Sequence, residues 1–421
     1  MVKRLKKVVV LAFILVLLSS AMTQMVESVT SENLKAFPTS PSFLSYYDAG
    51  NMRFVIRSNV TFENRGTVTW NLTEEERAIG LFMNNSWQTV FLLHHSHRLE
   101  TISEDDDGNL IAVLDFLGHL QPGENINYSV SYNVFSKPRM IPELNESESG
   151  ELEDIPENLR EQFCVSQSPF LVEDEGIREA ARVIAGNETR VLTIIKKFVE
   201  WIWENIQYPT QRHELPYYPN ETLEKKEGDC DDQAILFATF CRVYGIPSFI
   251  QAGCIYLKDF YSNVTAWEDH ISNELRRIGW HGWAMAYVPP WGWLPIDLTF
   301  VMGSFAVPLN AIYYGAVSLQ ETIQYMNISK ADYVASSCMY QDFLQQNDFY
   351  LYSMDEMTMT FLGDVNCDFI VNMLDLSIIA EAFGSEPEDP EWNEIADTAE
   401  PYGEINIIDV CIAAWEFGKT L

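Results

Sequence analysis

The sequence predicts a multidomain fold with three parts joined by a linker at residues 141–173. These are a β-sandwich over 38–140, an α+β core over 174–357 and a small all-α module over 360–421. Three observations predict it. Two early stretches alternate apolar and polar residues with period two, the mark of half-buried strands. A helical apolar stripe and a capped apolar helix then precede a strand-turn-strand pattern. The C-terminal residues carry an acidic loop followed by a helix, twice over. The chain has 421 residues and 47% hydrophobic content, enough for several cores.

The N-terminus comes first. Lys3, Arg4, Lys6 and Lys7 precede an unbroken apolar run from Val8 to Leu18, and Ser19-Ser20-Ala21 supplies small residues. This is signal-peptide anatomy over residues 1–21, and it predicts a secreted or cell-surface protein. The run is short for a membrane span. An uncleaved N-terminal membrane anchor is the alternative. Glycosylation sequons begin at Asn59, Asn71, Asn84, Asn127, Asn145, Asn187, Asn220, Asn263 and Asn327, which suits an exported glycoprotein. Seven cysteines are too few for a disulfide scaffold and leave one thiol free. No CxxC pair occurs, so no structural zinc site is predicted. The net charge of −34 excludes a nucleic-acid binder, because phosphate contacts need Lys and Arg.

The β-region follows. Met52, Phe54, Ile56, Val60 and Phe62 alternate with Arg53, Val55, Arg57, Asn59 and Thr61. Ile126, Tyr128, Val130, Tyr132 and Val134 alternate with Asn127, Ser129, Ser131 and Asn133. Asp107-Gly108-Asn109 and Pro122-Gly123 supply turns, and the pattern reads as an antiparallel sandwich. His94, His95 and His97 lack carboxylate or Cys neighbours at ligand spacing and read as solvent-facing.

The α+β core begins beyond a Glu- and Ser-rich linker. Val191, Ile194, Ile195, Phe198, Ile202 and Ile206 form a helical core stripe. Gly228-Asp229-Cys230-Asp231-Asp232 then heads an apolar helix that stops at Gly245. A helix N-terminus favours a thiolate at Cys230, while the three acids oppose it. The cysteine therefore needs a cation partner. His281 opens an apolar strand, a Pro-Pro-Trp-Gly turn follows, and the return strand ends at Asp297. The hairpin brings Asp297 beside His281, where a carboxylate can orient the imidazole and stabilise its cation. Cys230, His281 and Asp297 are the nucleophile, base and orienter that thiol acyl transfer requires, with Cys230 facing a cleft. Cys241 and Cys254 read as core thiols or a disulfide. Residues 301–357 carry no legible motif.

Gly-Asp-Cys-Asp-Asp, then Arg-Val-Tyr-Gly-Ile-Pro at 242–247, His-Gly-Trp at 281–283 and Gly-Trp-Leu-Pro-Ile-Asp at 292–297 resemble the transglutaminase-like core of papain-type thiol enzymes, across about residues 174 to 300. The resemblance implies Cys230 as nucleophile, His281 as base and Asp297 as orienter. It also implies a protein or peptide substrate, and no cofactor in the catalytic core. Family members add an oxyanion donor upstream; Gln207 or Tyr208 is available and the motif does not fix which. The preceding β-region is similar to N-terminal sandwiches of exported members. The peptide N-glycanase branch is disfavoured, since its paired CxxC zinc ligands are absent.

The C-terminal module closes the chain. Asp364, Asn366, Asp368, Asn372 and Asp375 fall at loop positions 1, 3, 5, 9 and 12, and the Ile370 carbonyl fills position 7. Hard oxygens at this spacing on one tight loop suit calcium. Asn406 and Asp409 mark a second copy. The module resembles a type I dockerin, which implies calcium-dependent attachment to a cohesin-like or other surface protein. Phe369 stands where the loop expects glycine, and Met373-Leu374 and Ile407-Ile408 occupy the positions that recognise cohesin in that family. Counting back from Asp409, positions 1, 3 and 5 of the second loop are Thr398, Glu400 and Tyr402, and Asp397 ligates only through a loop one residue longer.

The combined expectation is an exported thiol enzyme acting on peptide or glutamine amides, either a peptidase or a protein crosslinker. A non-catalytic surface-binding protein that keeps the fold is the rival.

Overall fold

The computed structural model describes residues 51–210, 213–300, 307–399 and 402–421. The signal-like segment 1–21 lies outside them. Among the described residues, no helix is long and apolar enough to cross a membrane.

The first strand, β1 (Met52–Asn64), starts a series of β2 (Trp70–Asn71), β3 (Ala78–Gly80), β4 (Gln88–His95), β5 (Leu99–Glu104), β6 (Leu110–Leu114), β7 (His119–Leu120) and β8 (Asn125–Ser136). Helices α1 (Glu157–Phe163), α2 (Glu175–Ala185), α3 (Val191–Asn205), α4 (Pro219–Lys225) and α5 (Cys230–Val243) follow. Then come β9 (Ser248–Ala266), β10 (Ile271–Val288), β11 (Gly292–Ile296), α6 (Asn310–Tyr313), β12 (Thr322–Ile328), α7 (Tyr333–Asn347) and β13 (Phe349–Thr360). Two helices, α8 (Met373–Glu381) and α9 (Ile407–Glu416), end the chain.

The period-two stretches form β1 and β8, which pair antiparallel with Ile56 opposite Tyr132. They do not belong to a separate sandwich. One sheet runs β12-β9-β10-β13-β1-β8-β4, with β11 paired to β10. The join is β13, antiparallel to β1 and parallel to β10, with Ser353 opposite both Val60 and Asn273. The small sheets β3-β6-β5 and β2-β7 stand apart from that sheet. Their Trp70, Ile79, Ala112, Leu114 and Leu120 share one apolar core with β1, β8 and the helices.

Three further expectations change. The segment 141–173 is not a free linker: Leu144, Ile155 and Phe170 are buried in that core, and the Gly150 amide donates to the Pro289 carbonyl at 2.8 Å. The outer face of β1 and β8 is polar only in part. Arg53 and Val55 are buried, as are Ser131 and Asn133. The C-terminal module covers this end of the sheet, where Arg53 donates to the Ile395 carbonyl at 3.1 Å and Phe135 meets Tyr402 edge-on. A cavity of about 300 Å³ remains between them, walled by Arg53, Asn133, Trp392 and Tyr402. Cys241 and Cys254 are free buried thiols. Eight of the nine sequon asparagines are exposed. The ninth, Asn327, is half-buried and accepts a hydrogen bond from Gln251 Nε2 at 2.8 Å.

The C-terminal module has its own small core of Val365, Val371, Ile379, Ala396, Ile405 and Ala413. Its halves repeat one device. Asn372 caps α8 by accepting from the Leu374 amide, and Asn406 caps α9 by accepting from the Ile408 amide, each at 2.8 Å. The Asn372 oxygen placed at position 9 by spacing is thus already engaged by its own helix.

Candidate active site

Cys230 is the first residue of α5, with Asp229 as its cap. The turn before it is tight: a Cβ on Gly228 would lie 2.8 Å from Asp232 Cβ and 2.9 Å from Thr222 Cγ2. Only glycine fits there. The backbone at 207 runs alongside, with the Gly228 amide donating to the Gln207 carbonyl at 3.0 Å. The Gln207 side chain is exposed, while Tyr208 packs against the core.

His281 stands on β10 opposite Gly253 of β9. Hairpin β10–β11 is closed with Ala284 opposite Ile296, which delivers Asp297 just beyond the strand. His281 Nε2 donates to Asp297 Oδ2 at 2.9 Å. Asp297 also accepts from the amides of Thr299 (3.1 Å), Phe300 (3.0 Å) and Ala316 (2.8 Å). Four donors fix this carboxylate, and it fixes the ring in turn. With Nε2 committed, Nδ1 is the nitrogen left to exchange a proton with a thiol. Nδ1 is buried without a hydrogen-bond partner among the described residues.

The expected cleft at Cys230 is closed. Cys230 is 1% exposed, and His281 and Asp297 are fully buried. Burial, then the charges of Asp229 and Asp231, push the thiol well above its ordinary range, although the Gly282 amide favours the thiolate. The helix terminus loses this contest, so the resting group is the protonated thiol.

Sequence reasoning missed a second imidazole. His213 Nε2 lies 2.9 Å from Asp232 Oδ2 and 3.6 Å from Asp229 Oδ2. Burial alone would lower its pKa, but the Asp232 hydrogen bond and the two carboxylate charges raise it to about 9. Burial, then the charge of Asp229, raises Asp231 well above the ordinary carboxylate range. His213 precedes Cys230 by a stretch rich in Pro and Tyr with no periodicity. The signal available was chemical: three acids at one helix head require compensation.

Residues 178–298 match the profile of the Transglutaminase-like superfamily. They form a transglutaminase-like domain. It contains Cys230, His281 and Asp297, together with His213. Solved structures similar to the chain include a candidate cysteine protease from Cytophaga hutchinsonii, at 15% identity and TM-score 0.45, covering 74% of this chain and 90% of that one. The periplasmic domain of TgpA from Pseudomonas aeruginosa is similar at 13% identity and TM-score 0.30, over 61% and 90%. A candidate protease from Parabacteroides distasonis follows at 12% and 0.21, over 59% and 67%. No curated protein matches the chain.

The donor atoms of His213, Asp229 and Asp232 lie within 4.8 Å of one another, as do those of Asp229, Cys230 and Asp231; the calcium ligands expected from the sequence lie elsewhere, in the C-terminal module. Asp364 accepts from the amides of Asp368 (3.1 Å) and Phe369 (3.0 Å), and Asp375 accepts from those of Asn366 (3.2 Å) and Asn372 (2.9 Å). Asn366 Nδ2 donates to Asp368 Oδ2 at 3.0 Å, and Asn372 Nδ2 donates to the Ile370 carbonyl at 3.3 Å. The first loop thus gathers its expected ligands in one turn. Phe369 takes the left-handed φ of 70° that the missing glycine would have taken. In the second loop Asp409 accepts from Thr398 (2.7 Å), Ala399 (2.9 Å) and Asn406 (2.9 Å) amides. Asp397 accepts from the Gly403 amide at 2.7 Å, with Gly403 at φ 101°. Gly403 plays the part of Phe369 in a loop one residue longer.

Proposed function

We propose that this chain is an exported cysteine enzyme that acts on peptide or glutamine amides through a thioester acyl-enzyme. The observation that carries this reading is the His281–Asp297 pair at 2.9 Å in the domain whose helix head bears Cys230. His281 Nδ1 takes the Cys230 proton, and the sulfur attacks the amide carbonyl. The imidazolium returns that proton to the leaving amine as the C–N bond breaks. Water then hydrolyses the thioester in a peptidase, whereas a lysine amine takes the acyl group in a crosslinker. The Cys230 amide, at a helix N-terminus, is one donor for the oxyanion. Because the three side chains are buried, substrate must open the site before attack.

The test is turnover of a peptide panel, by cleavage and by amine incorporation. Cys230→Ala is expected to reduce both rates to background with the fold retained. His281→Ala should cost nearly as much, and Asp297→Ala less, since it orients rather than reacts. Wild-type rates in Cys230→Ala would overturn the thiol mechanism. The burial of Cys230 and its protonated resting state favour a second reading, a surface-binding protein without turnover. Wild type inactive across the panel would select that reading.

The C-terminal module fits a calcium-dependent, dockerin-like attachment device. Asp364, Asn366, Asp368, the Ile370 carbonyl, Asn372 and Asp375 would hold an ion in the first loop. Asn406 and Asp409, with Asp397, belong to the second loop. The ion would supply charge compensation for the loop acids. Met373, Leu374, Ile407 and Ile408 are exposed at the two helix heads and suit an apolar protein partner, cohesin-like or another surface protein. Attachment at the cell surface accords with the signal-like N-terminus and the exposed sequons.

A further inference from the structure

We propose that His213 is a positioning residue of the thiol site, its imidazolium offsetting the acids that flank Cys230. The inference rests on the cysteine-enzyme reading above.

The protonation state follows from geometry. His213 Nδ1 lies 2.7 Å from the Leu215 carbonyl, which can only accept, so Nδ1 carries a hydrogen. Nε2 lies 2.9 Å from Asp232 Oδ2. That oxygen already accepts from the Asp229 amide at 3.1 Å, and its twin Oδ1 from the Tyr217 amide at 2.7 Å. Asp232 accepts on both oxygens, and the ion-pair distances from Nε2 to Asp232 and Asp229 favour the doubly protonated ring. The ring is held by stacking on Tyr217, with centroids 4.1 Å apart.

Among the described residues the surroundings supply no substitute. The head of α5 presents Asp229, Asp231, Asp232 and Cys230. From α7 comes Tyr333, a neutral phenol with a buried hydroxyl. Glu214, beside His213, is turned to the Trp267 amide at 3.1 Å. Lys225 of α4 stacks on Tyr217 at 3.5 Å and forms no ion pair with the acids. Among the described residues, His213 is the only cation paired with Asp229 or Asp232. His281 is committed to Asp297. Removing His213 thus leaves Asp229 and Asp232 uncompensated next to the sulfur, and like charge disfavours a thiolate.

The test uses the full chain and needs no substrate. Thiolate absorbance is followed against pH in wild type, with Cys230→Ser as the blank that removes the other six cysteines, and the same subtraction is made in each variant. His213→Gln is expected to move the Cys230 titration upward, on the order of tenfold less thiolate at a given pH. His213→Lys should recover part of it. The double variant His213→Gln/Asp232→Asn removes the pair as a unit and should titrate close to wild type. An unchanged titration in His213→Gln overturns the proposal. So does a double variant displaced as far as the single one, which would mean that His213 acts only through local structure. If His213→Gln fails to fold, the double variant and His213→Lys still decide. Where turnover is measurable, His213→Gln should lower kcat about tenfold near neutrality with KM little changed. Turnover surviving in Cys230→Ala would instead sink the cysteine-enzyme reading and leave the titration result standing.

Discussion

Three helices of this molecule begin in the same way and end in different chemistry. At α5 the Asp229 amide donates to Asp232 Oδ2 at 3.1 Å; at α8 and α9 the Asn372 and Asn406 amides donate to Asp375 and Asp409 at 2.9 Å. The local rule is shared: a polar cap followed three residues later by an acid satisfies the free N–H groups of a first turn. The surroundings differ. At α5 the cap is itself an acid, a third acid lies between, and an imidazole closes on two of them. At α8 and α9 the cap is a neutral Asn, and among the described residues Asp375 and Asp409 have no ion-pair partner, only amides and a hydroxyl. A capping motif therefore fixes where carboxylates stand. What stands opposite decides whether they face an imidazole or only amides and a hydroxyl.

The comparison breaks first at Asp232. Asp232→Ala strands a buried imidazolium, which costs about 3–5 kcal/mol when a buried pair loses one member. Asp409→Ala, which removes amide contacts without orphaning a charge, should cost about 2 kcal/mol, at the upper end for a lost cap. Urea unfolding of the full chain measures both, and equal losses would erase the distinction. Calcium sharpens the other side. At a hundredfold excess over Kd it should stabilise the C-terminal module by about 2.7 kcal/mol. Melting of the full chain with calcium and with chelator reads this, and identical curves remove the calcium claim.

A pH effect comes next. His213 titrates at about 9 in the folded chain against 6.5 unfolded. A raised cationic pKa gives stability that is complete below about pH 6.5 and is lost as pH rises towards 9. Asp232, raised to about 6 chiefly by burial, completes its titration only at the low end of that window, so the decline is read above about pH 7. Thermal melts from pH 6 to 10 should show the decline in wild type and a flatter profile in His213→Gln. The smallest effect is at Phe369. Phe369→Gly relieves a left-handed residue worth about 1–2 kcal/mol. It also gives up the Arg57 contact, 4.7 Å from the ring centroid and worth about 0.5–1 kcal/mol. A net gain of about 0–1.5 kcal/mol is expected in the melt. A loss would mean that the ring contact outweighs the strain.

The His281–Asp297 pair was legible because both residues sit in ordered local patterns, and a hairpin is a local structure. The long strands were legible by alternation, but their neighbours were not. The buried face of β13 reads Phe349, Leu351, Ser353, Asp355, Met357, so two polar residues interrupt the apolar pattern. Asp355 is tolerated there because Ser58 (2.6 Å) and Trp280 (3.1 Å) donate to it. Those partners are far away in sequence, and no window contains them. The segment 141–173 misled through composition: acids dominate its length, while Leu144, Ile155 and Phe170 do the packing. His213 escaped for a related reason, since its meaning comes from Asp229 and Asp232 rather than from its neighbours in the chain.

The position of β13 also governs when the protein can become itself. The strand that lies between β1 and β10 is the last one synthesised, so β1 waits for a partner nearly three hundred residues away, Val60 for Ser353. Until then one edge of β1 is open, an exposed template for other chains. Pairing at such separation is slow, because loop closure must precede its reward. A chain emerging end first keeps its N-terminal strands unlocked until almost all of it has passed, and only the arrival of residues 349–360 joins the two halves into one sheet.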